Sequence, residues 1–223
     1  MRILHPVIIA LGLVPAALLV ADAVNGRLGT NPIETITHTT GDWTIWLLLG
    51  ALAVTPLRRL TGWNDLIRFR RTVGLLAFGY GCLHFLTYVL LDREAIFDPA
   101  LALSTVGEDI AKRPYITVGF TALVLLIPLA VTSTRSWIRR LGGKRWNALH
   151  RLIYVAAALG VLHYLWLVKG DQPKPVWHGL ALVGLLLFRV WDGRRKRATV
   201  PRATPPAADP RPRQSPEPRP DPA

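Results

Sequence analysis

Between Pro6 and Val190 this chain is divided into apolar blocks of near-membrane length separated by short polar segments, and that pattern limits the fold more than any other feature. A bilayer core of about 30 Å needs about 20 apolar residues per helical crossing. Inside lipid every backbone N–H and C=O must be satisfied within the protein, as a helix does. The blocks are continuous rather than alternating, which favours helices. Six spans are expected: Pro6 to Val24, Trp43 to Leu57, Thr72 to Leu91, Tyr115 to Val131, Leu152 to Val168 and Val176 to Val190. The predicted fold class is therefore all-α, a polytopic membrane helical bundle. Trp43, Trp46, Trp63, Trp137, Trp146, Trp166, Trp177 and Trp191 all fall near span ends, where an amphipathic indole prefers to sit.

The net charge of +13 invites a nucleic-acid reading, so its distribution matters. Arg2, the segments Arg58 to Arg71 and Arg135 to Arg151, and the stretch from Arg189 onward hold 21 of the 27 Lys and Arg residues with 5 acids, whereas the other loops hold 6 with 9. Such one-sidedness is the positive-inside pattern of a multi-pass protein, with both termini cytoplasmic, and the basic charge is topological; no nucleic-acid partner is expected. The first 24 residues resemble a secretory signal in having Arg2, an apolar run and small residues near Ala21 to Ala23, but the run exceeds the roughly 7 to 15 residues of a signal core, so a retained span is expected. Residues 1–192 form the expected membrane domain. From Gly193 the chain turns Pro- and Arg-rich, with nine prolines after Val200, and residues 193–223 are expected to be a disordered cytoplasmic tail. Cys82 is the only cysteine, which excludes an intramolecular disulfide and leaves packing as its expected role.

Two spans repeat one small pattern, Ala-x-x-x-Gly-x-x-His: Ala77, Gly81 and His84 in one, Ala156, Gly160 and His163 in the other. Helical steps of four and three put each trio on one face, a surface against which a flat ring could lie while the imidazole bonds its metal. Counted from Arg71 and Arg151, the two histidines lie 13 and 12 residues into their spans, about 18 to 20 Å at 1.5 Å per residue. Two inward imidazoles at equal depth fit axial ligation of one haem iron; an interhelical hydrogen bond or a proton relay are the other readings. His150 lies about 20 Å nearer the cytoplasm, where a second haem would meet Arg70 and Arg71 instead of a partner histidine. Arg71, Arg145 and Arg151 suit haem propionates or a flavin phosphate, or serve topology alone. His5, His38 and His178 fall at or beyond span ends and are expected at the surface.

Several runs resemble a known family: Val54-Thr55-Pro56-Leu57-Arg58-Arg59, Arg70-Arg71-Thr72-Val73-Gly74-Leu75 leading to His84, Lys112-Arg113-Pro114-Tyr115-Ile116-Thr117-Val118-Gly119, Pro128-Leu129-Ala130-Val131-Thr132-Ser133, and Trp146-Asn147-Ala148-Leu149-His150-Arg151-Leu152-Ile153-Tyr154. Residues 3 to 192 are similar, in collinear order, to the MsrQ (YedZ) family, relatives of ferric reductase and NADPH oxidase transmembrane domains. The resemblance implies a bacterial inner-membrane cytochrome with one or two haem b groups. It would be an electron-transfer subunit rather than the catalytic one. Electrons would come from the quinone pool, quinol being the donor, with FMN on the cytoplasmic side as a further cofactor. They would go to MsrP, a periplasmic molybdopterin-containing methionine sulfoxide reductase that repairs oxidised envelope proteins. By motif the resemblance assigns haem binding to His84, His150 and His163. The wider superfamily has four histidines in two pairs, and this sequence has three.

No Gly-rich nucleotide fingerprint follows the last span, so electrons are expected from a separate carrier. Two alternatives remain: the cytochrome b subunit of a different periplasmic oxidoreductase, or a transporter using the histidines as a proton relay. The loop from Asp92 to Arg113 has five acids against three basic residues, and Glu108 and Asp109 are expected to face a soluble partner.

Overall fold

A computed structural model describes residues 4–93, 98–168 and 173–199. Among these residues the chain is helical with no strand: α1 (Leu4–Val24), α2 (Pro32–Thr61), α3 (Phe69–Thr87), α4 (Pro99–Lys112), α5 (Pro114–Val131), α6 (Arg135–Leu149), α7 (Leu152–Val168) and α8 (Lys174–Thr199). Local chemistry sets the starts. Asn31 caps α2 by accepting from the Glu34 N–H at 3.3 Å, Asp98 caps α4 by accepting from Leu101 at 2.9 Å, and each is followed by a proline at the first helical position, where the missing N–H costs nothing. A 3-10 turn, Asn64–Arg68, links α2 to α3, and a wider π turn, Tyr88–Asp92, extends α3.

Four helical stretches are long and apolar enough to cross a bilayer: α1, α3 with its flanking turns, α5 and α8. A fifth is α7 taken with α6, from which it is bent by 42°. Gly142, at φ 72°, breaks the helical path inside α6 itself. The remaining expected span lies in α2, whose first half, Thr35 to Thr44, is too polar for that class. Its second half is the most buried part of the molecule, with Leu48, Leu49, Ala51 and Leu52 at 4% exposure or less. The chain is thus a multi-pass helical membrane protein of the expected class. Helix α8 runs on to Thr199, past Gly193, because Arg194, Arg195 and Lys196 are good helix formers; residues 200–223 of the expected tail lie outside the described residues.

Two helix pairs make the most extensive contacts, α2 with α3 and α5 with α7. Leu48, Ala77, Leu126, Leu129 and Ala156 join the pairs in one apolar cluster, and Ile45, Leu49, Leu52, Ala157, Val161 and Leu182 attach α8 in another. Helix α1 buries no residue and is pinned to α3 by the Tyr80 hydroxyl, which donates to the Gly12 carbonyl at 2.9 Å and accepts from the Ala16 N–H at 3.0 Å. Outward faces of α1 and α8 expose Leu11, Leu18, Val20 and Leu187, as lipid contact requires.

Candidate haem centre

The two helix pairs form two equivalent half-sites. On α2 the Thr37 carbonyl and, one turn on, Gly41 create a notch. The His84 ring from α3 fills it, Nδ1 donating to the Thr37 oxygen at 2.9 Å, and a Cβ added at Gly41 would lie 3.1 Å from His84 Cε1. On α5 the Tyr115 carbonyl and Gly119 stand in the same relation. His163 from α7 donates Nδ1–H to the Tyr115 oxygen at 2.7 Å, and a Cβ at Gly119 would meet that Nδ1 at 2.8 Å. In each case a glycine one turn after the carbonyl bares the helix backbone so that the imidazole can lie against it. A carbonyl only accepts, so both histidines are Nδ1–H tautomers with Nε2 left as a lone-pair donor.

The two rings meet edge to face, with centroids 6.2 Å apart and planes at 71°. At that separation both imidazoles would be able to hold one metal ion between them. Around the pair is a cavity of about 510 Å³, within the usual range for cofactor sites. Gly81, Ala156 and Gly160 line it, together with Leu48, Phe120 and Leu126. Of the small residues expected to clear a face, Ala77 alone is turned away into the apolar core. Among the described residues no group of three or more His, Cys, Asp or Glu side chains is placed to hold a metal ion.

The charged mouth of the cavity lies at the end carrying the α1–α2 connection and α4, opposite the arginine-rich loops. Arg93 and Arg113 both line it. Between them Asp109 is 7% exposed: Arg113 Nε is 2.9 Å from one carboxylate oxygen, and the Tyr88 hydroxyl donates to the other at 2.6 Å. Arg93 Nε is 3.2 Å from that second oxygen, close enough for ion pairing although its N–H finds no aligned acceptor. Asp109 therefore does not face a partner as expected; it is the clasp that holds α4 to the end of α3. Glu108 is exposed and pairs with Lys112. Asp109→Ala should cost about 2 kcal/mol through the lost charged hydrogen bonds, and Glu108→Ala at most about 0.5 kcal/mol, measured as detergent-resistant helicity on heating. Equal effects would refute the clasp.

His150 is elsewhere, half-buried at the junction of α6 and α7. Its Nε2 is 3.1 Å from Thr132 Oγ1, and its ring stacks on Trp146 at 3.9 Å, the indole N–H donating to the Thr132 carbonyl at 2.9 Å. Arg71, Arg145 and Arg151 are exposed at that same arginine-rich end and do not line the cavity. His38 is exposed as expected and also lines the cavity, whereas His178 is 2% exposed, its Nδ1 donating to the Lys174 carbonyl at 2.6 Å beneath the Trp46 ring.

Residues 8–161 match the family of ferric reductase like transmembrane components. The chain is 52% identical over 188 residues to the protein-methionine-sulfoxide reductase haem-binding subunit MsrQ of Herminiimonas arsenicoxydans, covering 83% of this chain and 84% of that one. It is 50% identical over 200 residues to the MsrQ of Ralstonia nicotianae, covering 87% and 89%, and 53% identical over 174 residues to that of Rhodospirillum rubrum, covering 78% and 81%. With such coverage on both sides and a matched domain spanning most of the bundle, the chain belongs to the MsrQ family, within the ferric reductase-like transmembrane proteins.

Proposed function

We propose that this chain is the haem-binding membrane subunit of a methionine sulfoxide reductase system, holding haem b between His84 and His163 and passing electrons from quinol to MsrP, the periplasmic molybdopterin enzyme. The observation that supports this most is the 6.2 Å separation of two imidazoles across a cavity of cofactor size, each with its Nδ1 engaged and its Nε2 left free. Haem bound there supplies a one-electron carrier buried in the bilayer. The protein residues do the rest. Thr37 and Tyr115 fix the tautomer and plane of the ligands, the hydrogen bonds raising their basicity. Arg93 and Arg113, at the mouth, would hold the haem carboxylates, since guanidinium matches carboxylate geometry. Phe120, Leu123 and Leu126 exclude water from the ring.

In this reading α2 is the sixth crossing, both termini are cytoplasmic, and the mouth with α4 opens to the periplasm, where MsrP docks. His150, Arg71 and Arg151 then lie on the cytoplasmic side. His150 would bind a second haem without a histidine opposite, and the exposed arginines would suit the phosphate of FMN.

The test is spectroscopic. Purified from haem-replete cells, the protein should show a low-spin b-type reduced-minus-oxidised spectrum with at least one haem per chain by haemochrome assay. Adding MsrP and a methionine sulfoxide peptide should reoxidise it. Protein that folds without haem would overturn the proposal; haem that MsrP and sulfoxide cannot reoxidise would overturn the partner.

A further inference from the structure

Helix α6 lines no part of the central cavity. Its residues 135–149 carry five cations, Arg135, Arg139, Arg140, Lys144 and Arg145, and no acid. Other arginines at the same end find acids within the chain: Arg59 is 2.8 Å from Asp192, and Arg68 is 3.4 Å from Asp65. Among the described residues none of the five cations of α6 has an acid within ion-pair distance. The helix also stands apart from the bundle. It packs extensively on no other helix, is bent by 42° from α7, and turns again at Gly142. Before Gly142, at about 100° per residue, Trp137, Ile138 and Leu141 share one side and Arg135, Arg139 and Arg140 the other. All five cations are exposed, Ile138 is 37% exposed, and the Arg140 guanidinium lies over the Trp137 ring, 5.6 Å from its centroid. Positive-inside sorting needs cations at one end of a span, but it does not need an apolar side opposite them. A helix with both, covered by no other helix, has the make-up of one that lies in the membrane interface.

We propose that α6 is a docking surface for anionic phospholipids of the leaflet at the arginine-rich end. Its cations hold phosphodiester head groups while Trp137, Ile138 and Leu141 sit at the top of the acyl chains. Charge complementarity selects the occupant, because five unpaired cations call for anions and guanidinium matches the spacing of phosphate oxygens. The apolar side selects lipid over a soluble acidic protein: such a partner would meet the cations and leave Trp137, Ile138 and Leu141 uncovered, whereas a leaflet covers both sides. Lipid held there ties down the segment that joins the end of α5 to the start of α7, the pair that positions His163. The surface stands independently of the haem reading, and its test reads lipid rather than electrons.

The experiment uses the full-length protein in detergent with an equimolar mixture of palmitoyl-oleoyl phosphatidylglycerol and palmitoyl-oleoyl phosphatidylcholine, which share acyl chains and differ in head-group charge. Native mass spectrometry counts the lipids of each kind retained, with helicity checked for every variant. Wild type should retain phosphatidylglycerol in preference. The double variant Arg139→Gln, Arg140→Gln should lower that preference about 25-fold, about fivefold for each cation removed from a lipid surface. Arg139→Lys with Arg140→Lys should keep most of it. Arg58→Gln with Arg194→Gln removes the same charge from the same end of the molecule and should change it far less. Ile138→Gln with Leu141→Gln leaves every cation in place and should weaken phosphatidylglycerol retention about tenfold by taking the apolar side out of the lipid. Equal retention of the two lipids by wild type would overturn the proposal, as would an effect of the Arg58 and Arg194 pair as large as that of Arg139 and Arg140. Wild-type retention in the Ile138 and Leu141 variant would overturn the interfacial placement of the helix.

Discussion

Replacing either His84 or His163 by alanine should remove nearly all of the low-spin b-type absorbance, because bis-imidazole ligation does not survive the loss of one axial nitrogen. The two substitutions should be equivalent. Each ring is held in its own notch by its own carbonyl, at 2.9 Å for His84 and 2.7 Å for His163. His150→Ala should leave that signal largely intact, since its ring is engaged by Trp146 and Thr132 at the junction of α6 and α7. Optical spectra and haem content of the three variants, purified in parallel with a check of helicity, distinguish the outcomes. Full low-spin absorbance in both His84→Ala and His163→Ala would refute the centre, and complete haem loss in a folded His150→Ala would refute its independence.

The sequence made the pairing of these histidines legible because depth can be counted along a helix. Arg71 and Arg151 mark one membrane boundary, and equal distances from a common plane bring two imidazoles level. Their notches were not legible. Gly41 and Gly119 lie on α2 and α5, far from the histidines in sequence, and a glycine in a membrane helix does not announce which neighbour it admits; only the pairing of α2 with α3 and α5 with α7 does that. A signal existed, since each glycine follows a cavity-lining carbonyl by one turn, but it becomes readable only once partners are known. The apolar run of α2 is short for the reason that makes the helix central: Thr37, Gly41 and Asp42 are polar or bare where they wall the cavity. A loop acid usually faces solvent, whereas Tyr88 and Arg93 at the end of α3 and Arg113 between α4 and α5 bury Asp109. A position near a span end points His178 to the surface; Trp46, folded over it, reverses that.

Gly119→Ala should be the most damaging methyl addition at the haem centre. The new Cβ would stand 2.8 Å from His163 Nδ1, a separation that real Cβ contacts essentially never show, so something has to move. Backbone on α5 is held by its helical ladder, and the ring is the movable part. Displaced outward, the ring loses its 2.7 Å hydrogen bond to Tyr115, and with it the bond that fixes tautomer and plane. Loss of such an outer-shell partner lowers metal affinity about 10- to 100-fold. The expected result is therefore a 10- to 100-fold faster loss of haem to apomyoglobin, with a shift from low-spin toward high-spin absorbance as the axial bond lengthens. Gly41→Ala should act in the same direction but less, because its 3.1 Å contact with His84 Cε1 is relieved by a few tenths of an ångström. Gly79→Ala, where nothing lies within 4 Å of the added carbon, should leave the spectrum unchanged and, by removing a helix-interior glycine, the fold no weaker. A ranking with Gly119 first, Gly41 second and Gly79 neutral follows from the two notches alone. Gly119→Ala with wild-type haem retention and spectrum would mean that the His163 ring does not occupy the α5 notch in the haem-bound protein.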